Sequence, residues 1–358
     1  MGIGVYALNS NGYIRGCGIL AAGFAAMFVL VMVLFIRGCM NEHYRAEGQG
    51  YVTFSISAQG DKLVFDAVGD GGRDLYALDL NSLAAERLAA TPLYEVEPSF
   101  SSDGKSVVYA AGKPGDRADH LFVTRLDRNE VTQLTADDAN DSSPEFSPDG
   151  LHIVFTRDKT YNWGGLAANW GDDEAVCIIN VDGSGFRQVT SDRQPASDPH
   201  YSPDGRTILF WGEGGLYTLP ADGSQSPSLL SGRKARDAVY SPDGQSIAFS
   251  MGQYAPDHEI FVCRADGLQV KQVTHVGKGQ SHTEGAGCTR PAFTPDSKQI
   301  LFFLEIWPDG PTGHSKQNLW EIGIDRGGLR KIADFGLFDD PLHWKPDAAK
   351  GVKTPSAR

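Results

Sequence analysis

Six charged residues precede runs of strand-forming sequence at comparable places: Glu97, Asp141, Asp198, Asp237, Arg290 and Asp340. Glu97, Asp198, Arg290 and Asp340 each stand directly before proline. Carboxylates gathered around one guanidinium can dock a cation or a basic peptide. The same residues on separate loops would only cap local backbone. A second set is aromatic. Tyr161, Trp163, Trp170 and Trp307 lie in insertions, where an exposed ring can stack on sugar or anchor a protein partner, or can fold down to pack the insertion itself. A third set holds His200 and His343, with His275, His282, Glu284 and His314. No His-x-x-x-His or similar ligand spacing joins them, so neither a metal site nor a cofactor is expected.

Other chemistries lack their residues. There is no Gly-x-Ser-x-Gly elbow for a serine nucleophile. No glycine-rich phosphate loop runs from a strand into a helix. The five cysteines, Cys17, Cys39, Cys177, Cys263 and Cys288, show neither zinc nor disulfide-framework spacing. The net charge is −13. With Arg15 and Arg37 of the first forty residues set aside, 30 basic and 45 acidic residues remain, a balance of −15. That field disfavours nucleic acid and anionic membrane surfaces.

The elements that must position these residues are short strands. Phe146-Ser147-Pro148-Asp149-Gly150 precedes Ile153-Val154-Phe155, and the unit recurs. Tyr201–Gly205 precedes Ile208-Leu209-Phe210, and Tyr240–Gly244 precedes Ile247-Ala248-Phe249. Phe100–Gly104, Phe293–Ser297 and a worn copy, Ile56–Gly60, complete six, and Trp344-Lys345-Pro346-Asp347 begins a seventh. Proline presets the first central position of a tight turn, aspartate accepts from nearby backbone donors, and glycine takes the left-handed conformation that closes a hairpin. The copies return every 40–55 residues or so, the period of propeller blades. The second strand of each unit is apolar at consecutive positions, as in sheets covered on both faces.

The unit Pro-x-aromatic-Ser-Pro-Asp-Gly-x-x-Ile-x-Phe, followed by a strand ending Asp-Gly and a terminal Val-Thr or Leu-Thr, resembles the repeats of TolB-like β-propellers. Pro144–Phe155, Val181-Asp182-Gly183 and Val189-Thr190 carry it most fully. The resemblance covers about 300 residues. It implies an all-β fold, a six-bladed propeller of four-stranded antiparallel blades over 51–347. It implies little about activity, because such propellers serve as binding modules, enzyme lids and lyases. TolB itself carries an α/β domain before its propeller, whereas here only residues 37–50 separate Tyr51 from an apolar segment. The chain is therefore read as TolB-like and not as TolB.

That segment, residues 17–36, has twenty residues without a charge, enough to span hydrocarbon as a helix. It follows a tail of residues 1–16, and residues 348–358 form a second tail. An uncleaved signal anchor is expected, single-pass, with the propeller on the periplasmic side. A cleaved signal peptide, a lipoprotein box at Ile36-Arg37-Gly38-Cys39 and a buried soluble helix are the weaker readings.

In a blade, the turns between first and second and between third and fourth strands share one face, and here they are short. The opposite face takes the long insertions Lys159–Asp173, His275–Arg290 and Ile306–Gln317. Loops on a rigid scaffold are where binding resides. The expected function is therefore a membrane-anchored, non-enzymatic, monomeric propeller that binds an envelope protein or peptide through the long-loop face. The alternative is a carbohydrate-binding or polysaccharide-lyase-type propeller.

Overall fold

The computed structural model describes residues 53–69, 72–88, 91–113, 118–128, 130–159, 174–191, 195–232, 235–252, 258–276, 285–307 and 316–334. They form six antiparallel four-stranded sheets, each built from one contiguous stretch of chain. The inner strands are Phe54–Ile56, Tyr94–Phe100, Asn140–Phe146, Ala196–Tyr201, Ala235–Tyr240 and Gly285–Phe293. No helix among the described residues is long and apolar enough to cross a membrane. Residues 17–36 lie outside the described residues, as do Trp344–Asp347 and both tails.

The hairpins form as their residue types require. Gly150 N–H donates to the Ser147 carbonyl at 2.8 Å. Ser147 Oγ donates to Asp149 at 2.5 Å and accepts the His152 N–H at 2.9 Å. Gly60, Gly104, Gly150, Gly205 and Gly244 all have φ near +70°. In the sixth blade Ser297 takes that conformation at +59°. The recurring Gln-x-Thr endings have a mechanism too. Gln133, Gln188 and Gln272 each donate to the carbonyl two residues on, at 2.8–2.9 Å. Thr135, Thr190 and Thr274 each accept an N–H from the third strand of their blade, at 2.8–2.9 Å. An outer strand of two to four residues is thus fastened by side chains as well as by its ladder.

The consecutive apolar residues of the second strands are divided between neighbours. In the first blade Leu63 and Phe65 face the sixth blade and Val64 faces the second. In the third, Ile153 and Phe155 pack on the second blade and Val154 on the fourth. In the fifth, Ile247 and Phe249 pack on the fourth blade and Ala248 on the sixth. Side chains alternate across a strand, so a residue at every position is buried only when a sheet is covered on both faces. Six such interfaces follow round the ring, and the sixth closes it: Leu301, Phe303 and Leu319 pack on Leu63, Phe65 and Tyr76. The first and last hairpins also meet there. A Cβ on Gly60 would lie 2.8 Å from Pro295 Cγ.

No strand is exchanged between the first and last blades, so side-chain packing alone closes the ring among the described residues. Phe303 is fully buried in that seam, with Phe54 edge-on at 5.0 Å. Phe303→Ala is expected to lower the unfolding free energy by about 3–5 kcal/mol, as for other buried Phe truncations. Urea denaturation followed by tryptophan fluorescence measures it. A loss under about 1 kcal/mol would mean that the first and sixth blades do not share a core.

Candidate functional site

Each complete inner strand breaks its ladder at one place. The register slips between Val96 and Ser99, Ser142 and Glu145, Ser197 and His200, Arg236 and Val239, and Thr289 and Ala292. The first residue of each bulge is left-handed: Glu97 (φ 55°), Ser143 (49°), Asp198 (50°), Asp237 (51°) and Arg290 (53°). None is glycine, and each such backbone costs roughly 1–2 kcal/mol. Bulges re-aim side chains. Here they turn one side chain per blade toward the axis, three residues before the aromatic that starts each hairpin. Thr53 holds the same register in the first blade.

These residues meet in one cavity of about 350 Å³ on the propeller axis, lined by all six inner strands. Glu97, Asp198, Asp237 and Arg290 therefore come together, but within the inner strands rather than on loops before them. Asp141 does not join them. It lies two residues from the ring register and is fully buried, and both its oxygens accept from Arg157, at 2.7 and 2.8 Å. Arg157 also holds Asp137. Asp141 is a structural staple, and Ser143 takes the ring place in its blade. Trp307 ends the second strand of the sixth blade. Tyr161, Trp163, Trp170, Asp340, His282, Glu284, His314 and His343 lie outside the described residues. His200 faces the channel, hydrogen-bonded to Glu145. His275 is exposed on the long-loop face. Among the described residues no three His, Cys, Asp or Glu side chains are grouped to hold a metal.

Sequence reasoning missed Ser143, Glu145 and Glu305. The signal for Ser143 was register, since counting back three residues from Phe146 finds it. Ser143 ties the ring together. Its N–H donates to Glu97 Oε2 at 2.6 Å and its Oγ–H to Asp198 Oδ1 at 2.9 Å. Asp237 Oδ2 accepts from Ser250 Oγ at 2.6 Å and from the Arg290 N–H at 3.3 Å. Each bond crosses to another strand, three of them to another blade, and each offsets part of the bulge strain.

The enclosure shows in the charges. Burial pushes Glu97 up to about 7, against the pull of the Ser143 N–H and Arg290, with Asp198 and Asp66 adding to the rise. Glu305, behind Arg290, is also raised to about 7 by burial. It is 1% exposed and its Oε2 has no partner among the described residues. Glu95, fully buried between the first two blades, is raised to about 7 for the same reason. Burial works against charge on Arg290, but Asp237, Glu97 and Asp198 outweigh it and hold the guanidinium charged. Burial likewise works to lower His200, and the Glu145 carboxylate overrides it, so the imidazole titrates above its ordinary range.

No family model matches the chain. An uncharacterized protein of Agrobacterium fabrum is 27% identical over 203 residues, 52% of this chain and 64% of that protein. The Tol-Pal system protein TolB of Helicobacter pylori is 23% identical over 167 residues, 46% of this chain and 38% of that protein. This chain thus spans less than two thirds of either relative. Among solved structures, TolB from Acinetobacter baumannii superposes with a TM-score of 0.56 at 17% identity, over 75% of this chain and 63% of that one. An oligogalacturonate lyase in complex with manganese superposes at 0.52 and 18%, over 76% and 77%. The fold is a TolB-like six-bladed β-propeller.

Three carboxyls raised from about 4.5 to about 7 make stability depend on pH. Their contribution is complete below pH 4.5 and is lost as pH rises through 7, so stability falls from pH 5 to pH 8. Glu305→Gln removes one ionising group. It is expected to raise the unfolding free energy at pH 8 by on the order of 1–3 kcal/mol and to leave pH 5 nearly unchanged. Urea unfolding at both pH values measures it; an equal effect at both would contradict the burial of an ionising Glu305.

Proposed function

We propose that this chain is a membrane-tethered, non-enzymatic propeller that binds a protein or peptide of the cell envelope. In this reading, residues 17–36 form the tether and the ligand binds on the long-loop face and reaches the ring from there; the cavity itself runs from the ring toward the short turns, where Ser102, Ser147, Pro148 and Pro242 line it. The observation that carries the reading is the ring of bulges. Five inner strands hold a strained, left-handed residue, four of them charged, partly buried and facing one axial cavity. Hydrogen bonds between blades offset part of that strain, and strained, partly buried polar residues concentrate where a ligand is held. Similarity to TolB, a protein named for the Tol-Pal system, supports an envelope setting. The fold also carries a lyase, and a polysaccharide ligand would use the same face. Among the described residues, His200 of the channel is hydrogen-bonded to Glu145.

The face assignment is tested by photo-crosslinking in intact cells. A photoreactive residue replaces Glu213 or His275, both exposed on the long-loop face, or Leu151 or Leu268, both exposed at the short turns. Adducts with an envelope protein are expected from positions 213 and 275 only. Equal labelling from 151 and 268 would overturn the assignment.

A further inference from the structure

The ring places its charges unevenly. In blade order it reads Thr53, Glu97, Ser143, Asp198, Asp237, Arg290, so Ser143 stands across the channel from Arg290. Ser143 draws two carboxylates toward itself, Glu97 through its N–H and Asp198 through its hydroxyl. Glu97 Oε1 and Asp198 Oδ2 have no hydrogen-bond partner among the described residues. Nearby charges do not relieve the pair. Asp66 is matched by Arg73 at 2.9 Å, Glu145 by His200, and Asp237 is the carboxylate acting most strongly on Arg290. On the opposite wall the Arg290 guanidinium makes no ion pair or side-chain hydrogen bond among the described residues, although the field of Asp237, Glu97, Asp198 and Asp66 holds it charged. A partly buried guanidinium without a side-chain partner, and a tethered pair of carboxylates bonded only to Ser143, among the described residues, are each incomplete as they stand.

We propose that the axial cavity recognises an extended segment of its partner that carries adjacent basic and acidic side chains, the base seated on Glu97 and Asp198 and the acid on Arg290. This rests on the binding reading above and adds the chemistry of the ligand. Neighbouring side chains of an extended chain point to opposite sides, and the two subsites lie on opposite walls. A guanidinium or ammonium between two carboxylates makes charge-assisted bonds, and a carboxylate fits the Arg290 fork in two parallel bonds. The −2 charge of the ring with all four groups ionised makes the base the stronger anchor.

Proton and base compete for the same seat. Glu97 faces Arg290, Asp198 and Asp66, with His200 and Glu145 two residues further along the inner strands and Arg73 paired with Asp66. As pH rises from 6 to 8 Glu97 ionises, and any loss of charge from His200 works in the same direction.

The probes are the dipeptide acetyl-Arg-Asp-amide and two analogues, with citrulline for arginine and with asparagine for aspartate. Each is titrated by calorimetry into the full-length protein in detergent at pH 6 and pH 8. The parent is expected to bind, with affinity up to about tenfold higher at pH 8 as Glu97 ionises. The citrulline probe should bind at least about fivefold more weakly, and the asparagine probe less severely so. Asp198→Asn should erase the preference for arginine over citrulline at pH 6, where Glu97 is largely protonated, and weaken it at pH 8, and Arg290→Met should erase the preference for aspartate over asparagine. Thermal melts of both variants confirm folding, and Leu268→Gln, exposed at a short turn away from the ring, serves as the structural control. Equal binding of all three probes, or binding of none, overturns the proposal. If none binds while long-loop crosslinks still form, the charge pairing fails and the face assignment stands. If those crosslinks are also absent, the binding reading itself fails.

Discussion

Every middle strand of this protein is apolar on both sides, and that single constraint organises the rest. A sheet covered on one face could stop at two layers. A sheet that must be covered on both faces needs a neighbour, which needs another, and the series ends only when the last meets the first. Ile153 and Phe155 turn one way and Val154 the other; the same division holds at Leu63, Phe65 and Val64. Among the described residues, closure is then a matter of hydrophobic area at the seam between first and sixth blades, with no exchanged strand to lock it. The inner strands are carried to the axis by that closure, and the channel is a consequence of it.

The channel then acquires its character from a local departure. A regular inner strand would leave its axial edge to small and apolar side chains. The bulge three residues before each aromatic turns a longer, polar one inward instead, at a cost in backbone energy that hydrogen bonds between blades partly recover. Ser143 serves two acids at once, and Asp237 accepts the Arg290 N–H. The ring is thus both a tie between blades and a polar surface. Its enclosure is deep enough to lift Glu97 to about 7.

Much of the architecture is legible in sequence because it rests on local rules. The Ser-Pro-Asp-Gly turns, the two-sided apolar runs and the Gln-x-Thr endings are each written in a few consecutive residues, and the structure shows each doing what its residue types allow. The channel is harder to read because it is assembled from residues about 40–55 apart whose equivalence is positional. Choosing by charge selects Asp141, and counting from the aromatic selects Ser143. The bulge is invisible to both, since residues as different as serine, aspartate and arginine adopt it. Glu305 gives no signal at all: a glutamate after Leu304 reads as the polar end of a strand, and only packing places it behind Arg290.

The channel and its ring of charges exist only if the ring of blades is closed. Double electron–electron resonance between labels on noncanonical residues at Gln59 and Asp296, in the hairpins of the first and sixth blades, tests that most directly. Gly60 against Pro295 places those hairpins in contact, so a single narrow distance at the short limit of the method is expected. A long or broad distribution would mean an open array of blades, with no axial channel and no ring for a ligand to find.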